Sequence, residues 1–219
     1  MNWLKKGISP IYGKPDVLAL VGTAVTIGVH LAIKATSDKP SFWFIAGACT
    51  FWIIFVLVRA TQNPNAFREW GFRADNILAA SVLPAILFCL AAVAMGGYAL
   101  ASGWFRFPPH MLACFALYPI WGVIQQFLAL AIVVGNLERI AWLRRRMGIV
   151  VLVGSTIFAL VHVYDWRLAV ATFGLELVVI PLYLRHRNLW PLGVLQGWLG
   201  ALFYLWILNI DIWAETFRL

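Results

Sequence analysis

Charge is scarce in this chain. Only 12% of its 219 residues are Asp, Glu, Lys or Arg, and acids number nine. Soluble domains carry about a quarter charged residues, so a soluble globular protein is excluded. Cysteine is also sparse: Cys49, Cys89 and Cys114 lie in apolar runs, odd in number and without metal-ligand spacing. That excludes a disulfide framework and a cysteine-ligated metal site and predicts core packing. No basic patch alternates with exposed aromatics, so a nucleic-acid partner is excluded despite a net charge of +8. No small-x-small cleavage site follows the first apolar run, so residues 1–15 are expected to stay as an uncleaved polar lead.

What is present is apolar: 63% hydrophobic residues and a mean hydropathy of +0.84. The chain reads as one integral membrane domain, 1–219. Its most telling stretch is Met111–Leu137, twenty-seven residues without a formal charge. A helix of that length exceeds a hydrocarbon core of about 30 Å. Six further spans are predicted at Val17–Ile33, Ser41–Val58, Asn76–Leu100, Gly148–Tyr164, Leu168–Leu184 and Trp190–Ile210. Thr61–Asp75 mixes aromatics with arginines and is expected to lie at a membrane surface. The fold class is therefore an all-α, multi-pass transmembrane helix bundle of about seven spans, with membrane lipid as its surroundings. If the N-terminus is inside, twelve Lys and Arg residues fall inside and five outside. The positive-inside bias thus predicts a cell (inner) membrane protein with a cytoplasmic N-terminus.

Polar groups within spans cost free energy and mark sites by default. Here they are His30, Gln125, Gln126, His162, Glu176 and Gln196. His30 lies near a span end, where solvation is easy. Gln125 and Gln126 point about 100° apart on a helix; as plain interhelical hydrogen-bonding groups they contribute about 1 kcal/mol each. Phe158 and His162 are four apart and share a helix face. Gln196 lies in Gly193–Gly200, a small-residue face suited to close helix approach. Glu176 is the only acid well inside a span, either a protonated or Arg-paired structural acid or part of a site.

The order of these segments, over about 111–208, resembles the CPBP family of CAAX prenyl endopeptidases and bacteriocin-processing or immunity proteins. Those intramembrane proteases carry Glu-Glu-x-x-x-Arg, then Phe-x-x-x-His, then His-x-x-x-Asn or similar. PIWGVIQQFLALAIVVGNL is similar to the first segment, with Gln125 and Gln126 at the glutamate positions and Leu130 at the arginine. GSTIFALVHVYDW keeps Phe158 and His162. ATFGLELVVIPLYLRHRNLWPLGVLQGWLG follows the third, with Gly174, Tyr183, Asn188-Leu189-Trp190, then Gln196 at the histidine and Gly200 at the last polar position.

The resemblance implies an intramembrane endopeptidase acting on a membrane-associated peptide or protein, in which a glutamate activates water and histidines hold the reacting oxygen or a metal. Gln125, Gln126, His162, Gln196 and Glu176 are the catalytic candidates, with Phe158 and Trp121 as substrate contacts. An amide cannot take a proton as a carboxylate does, though Gln196 can donate to an oxyanion. A divalent metal, if one binds, is expected at His162. The amides are expected to converge with His162 in one cavity. The alternative is a non-catalytic relative that binds a peptide or protein partner, as an immunity or adaptor protein does. A transporter fits less well, because the chain lacks inverted-repeat symmetry and paired broken helices.

Overall fold

The computed structural model describes residues 14–36 and 42–216. The lead up to residue 13, including Lys5 and Lys6, lies outside the described residues. Apolar runs with few breakers form helices throughout, and no strand occurs among the described residues. The helices are α1 (Val17–Thr36), α2 (Phe42–Gln62), α3 (Ala66–Trp70), α4 (Ile77–Ala101), α5 (Met111–Gln126), α6 (Gly135–Arg139), α7 (Ala141–Arg144), α8 (Met147–Leu160), α9 (Trp166–His186), α10 (Trp190–Leu202) and α11 (Ile212–Thr216). Wider π-helical turns continue two of them, at Phe127–Val134 and Phe203–Ile207. Six helices are long and apolar enough to cross a membrane, and the long one runs unbroken over Met111–Arg139.

The expected fifth span is shorter than its apolar run. α8 stops at Leu160 after 14 residues, a rise of about 21 Å. The backbone then tightens, with His162 N donating to Ala159 O and Asp165 N to His162 O. Asp165 next starts α9 by accepting from Arg167 N at 3.0 Å. His162 therefore sits in a turn and not inside the helix.

Burial separates the spans. Of the hydrophobic windows in α1 and α2, 6% is buried, against 44% in Met111–Arg139 and 56% in Trp190–Ile207. Large apolar side chains such as Leu78 (83% exposed) and Val93 (76%) would be costly in water and suit lipid. With the family match described below, this makes the protein an integral, multi-pass membrane protein. The cysteines divide accordingly. Cys114 is buried, but Cys49 and Cys89 are exposed, so core packing holds for one of three. A thiol behaves as a small hydrophobe and is tolerated on a lipid-facing helix.

Two compact units are evident. One joins the described residues up to Phe72 to Leu128–Arg187; the other joins Arg73–Phe127 to Asn188 and beyond. In the first, α8 packs on α9, where Gly154 lets Ile180 and Val134 close in. The second is built on α10 against α5 and α4. Its core gathers Met111, Cys114, Leu202, Leu205 and Trp206. Trp198 Nε1 donates to Phe115 O at 2.8 Å.

Candidate functional site

Backbone contact between α5 and α10 builds the site. Gly122, Gly193 and Gly197 have no side chain to hold the helices apart. A Cβ on Gly197 would lie 2.6 Å from the backbone of Tyr118 and Pro119, and one on Gly122 would collide with Gly193 O. Close approach of this kind follows from small residues four apart on a membrane helix. Gln196 immediately precedes Gly197, so the seam carries its amide to the end of α5.

There the three amides join. Gln126 Nε2 donates to Gln196 Oε1 at 3.2 Å. Gln196 Nε2 donates to Gln125 Oε1 at 3.4 Å. Gln126 is 0% exposed and Gln196 7%, while Gln125 is half-buried. The chain of donors runs one way and ends on the Gln125 amide nitrogen, which makes no hydrogen bond among the described residues. The α-helix gives way to the π-helical turn at Phe127. Leu130, at the family's arginine position, lies inside that turn, fully buried. Such turns recur at functional sites.

The other candidates belong to the first unit. His162 Nδ1 lies 3.1 Å from Phe158 O. A carbonyl oxygen only accepts, so Nδ1 carries the proton, and the neutral ring keeps its lone pair on Nε2. Phe158 is buried, and its ring centroid is 5.2 Å from that of His162. Glu176 is fully buried on the face of α9 that also buries Thr172, Ile180 and Tyr183. Ten residues separate it from the start of α9, about 15 Å along the axis. His30 is half-buried, 6.4 Å from the Phe44 ring. Trp121 is 54% exposed.

One further group escaped sequence reasoning. Arg187 grips Glu138 with both arms, Nη1 to Oε2 at 2.7 Å and Nη2 to Oε1 at 2.6 Å. Both residues are buried. Burial alone would lower the Arg187 pKa, but the Glu138 hydrogen bonds reverse this and hold it above its usual value. The guanidinium lies 5.2 Å from the Tyr183 ring centroid, and Tyr183 Oη donates to Trp70 O at 3.1 Å. Asn188 donates from Nδ2 to Arg73 O and Asn76 Oδ1 and accepts from Trp190 N. Its role in the motif is therefore to pin the start of α10.

A family model for the type II CAAX prenyl endopeptidase, Rce1-like, matches residues 114–202. This stretch is Rce1-like. The match supports a CPBP-type membrane protease fold over these residues. No curated protein and no solved structure matches it. The match spans the amide trio, His162, Glu176 and the Glu138–Arg187 pair.

In the Rce1-like stretch, the departures at Gln125, Gln126 and Gln196 fall on residues hydrogen-bonded to one another. A primary amide donates and accepts, so three of them satisfy each junction without charge. Ionised carboxylates at 125 and 126 could only accept, and would need a doubly donating partner such as a protonated histidine between them. The three amides thus form a connected network without formal charge, the cheaper state in a membrane. A divalent metal does not fit this donor set. Amides are poor ligands beside imidazole, and His162 Nε2 is a single donor. No cluster of three His, Cys, Asp or Glu occurs among the described residues.

Proposed function

We propose that this protein binds a membrane-inserted peptide through the amide trio and does not cleave it. The observation that carries this reading is the one-way chain from Gln126 through Gln196 to Gln125. It leaves the Gln125 N–H donor, its amide held by Gln196 and Gln196 in turn by Gln126, for a peptide carbonyl. The trio itself holds no carboxylate base. Trp121 and Phe158 are the proposed apolar contacts to the peptide.

The second reading is hydrolysis with His162 as the base, favoured by the free Nε2 lone pair. Gln125 and Gln196 would then orient the scissile carbonyl. One experiment separates the two. The full chain is reconstituted in vesicles with a fluorescent transmembrane peptide, and energy transfer and fragment masses are followed together. Binding without fragments is expected. Gln125→Leu should weaken binding about tenfold, the scale of one hydrogen bond, and His162→Ala should change it less than twofold. Fragments that disappear in His162→Ala would overturn the binding reading in favour of the hydrolase. Gln125→Glu would then retain or raise the cleavage rate by restoring a base.

The proposed orientation is N-terminus cytoplasmic in the cell membrane, supported by the twelve-to-five split of Lys and Arg. A reporter fused after Arg146 should read cytoplasmic, and one at Leu219 exported. The same side for both would refute it.

A further inference from the structure

A cavity lies wholly within the first unit. Its volume is about 520 Å³, and it opens where three helices end: the start of α1, the last turns of α2 and the end of α6. Its lining includes three cations, Lys14, Arg59 and Arg139, against two acids, Asp16 and Glu69. Arg59 is committed to Asp16, with Nε 2.7 Å from Oδ2 and Nη2 2.9 Å from Oδ1. Arg139 is not committed to an acid. Its Nε is buried without a hydrogen-bond partner among the described residues, and its Nη1 reaches only Lys14 O, at 3.5 Å. Lys14 is exposed. Apolar residues also line it, among them Val17 and Leu18, exposed at 69% and 53%.

We propose that this cavity holds the phosphodiester headgroup of an anionic phospholipid. Three candidate membrane spans begin or end in its lining, at Val17, Gln62 and Arg139, and span ends are where lipid headgroups meet a membrane protein. The lining carries one net positive charge, which a phosphodiester monoanion neutralises. The Arg139 guanidinium and the Lys14 ammonium supply donors for its oxygens, since such groups are the usual phosphate ligands. Val17 and Leu18 then give the first methylenes an apolar track. The attraction adds to the general pull of a negative leaflet on basic residues at span ends. Glu69 on the rim disfavours a second anion.

The test uses the purified full chain in detergent and short-chain phosphatidylglycerol. Short-chain phosphatidylcholine and inorganic phosphate are the comparison ligands. Binding is read by native mass spectrometry and by the shift in melting temperature. Phosphatidylglycerol should be retained in preference to both others. Arg139→Gln and Lys14→Gln should each weaken it about fivefold, the scale of one basic side chain at a lipid surface, with the ligand-free melting temperature unchanged. Lys14 is exposed, so Lys14→Gln remains informative if Arg139→Gln fails to fold. Equal retention of phosphatidylcholine would overturn the proposal. So would equal binding of inorganic phosphate, or retention of phosphatidylglycerol unchanged in both variants.

Discussion

Arg187→Ala is expected to destabilise the protein by about 3–5 kcal/mol, the cost of leaving a buried charge without its partner. The reasons are local. Glu138 is 2% exposed and Arg187 7%, so neither finds water when the other is removed. Both carboxylate oxygens are engaged, at 2.6 and 2.7 Å. The guanidinium also covers the Tyr183 ring, whose hydroxyl ties down the backbone at Trp70. Arg187 itself adopts a left-handed backbone (φ 49°) as the C-cap of α9, a conformation that a side chain rarely takes without compensation. Arg187→Lys should recover only part of the loss, because an ammonium cannot make the two parallel bonds. Replacing both partners, as Glu138→Leu with Arg187→Leu, should be milder than Arg187→Ala alone, since no charge is left stranded. Thermal unfolding in detergent checks the series. A single-variant loss of about 10 °C is the expected scale for a chain of this size. A shift below about 2 °C on that scale would show that the pair carries no structural weight.

The second large effect concerns the glycine seam. Gly197→Val should cost at least the 1–3 kcal/mol typical of overpacking. Its Cβ would stand 2.6 Å from Tyr118 C, Tyr118 O and Pro119 N. These are backbone atoms of α5, so no side chain can rotate away and the helices must separate. Separation also draws Gln196 from Gln125 and Gln126, so peptide binding should fall along with stability. Gly200→Ala is the control on the same helix, because its Cβ would meet only the Tyr118 ring, at 3.8 Å. Melting curves of the two variants, with a cysteine cross-link between α5 and α10, read both consequences. Parent-like stability in Gly197→Val would mean that the helices do not meet there as closely as described.

These two predictions differ in what a reader of the sequence would have foreseen. The glycines were visible, because Gly193, Gly197 and Gly200 recur at helical spacing beside Gln196, and in lipid that pattern has few uses besides close packing. The ion pair was not. Glu138 and Arg187 sit 49 residues apart, each in a charged stretch at a span end, where composition reads them as solvated. Only the fold turns them inward.

Sequence alone determined that the chain is an apolar, all-helical membrane protein, roughly where its spans lie, which side chains are polar within them, and that its segments follow the CPBP order with amides at two glutamate positions and one histidine position. These are properties of local composition and spacing, and a helix in lipid must satisfy its backbone within itself whatever its neighbours do. Tertiary structure decided the rest. It ended α8 before His162, inserted a π-helical turn directly after Gln126, and directed the donors so that the open end is Gln125. Hydrogen-bond direction among three chemically identical amides depends on which atoms the packed helices bring within reach, and no sequence pattern encodes that.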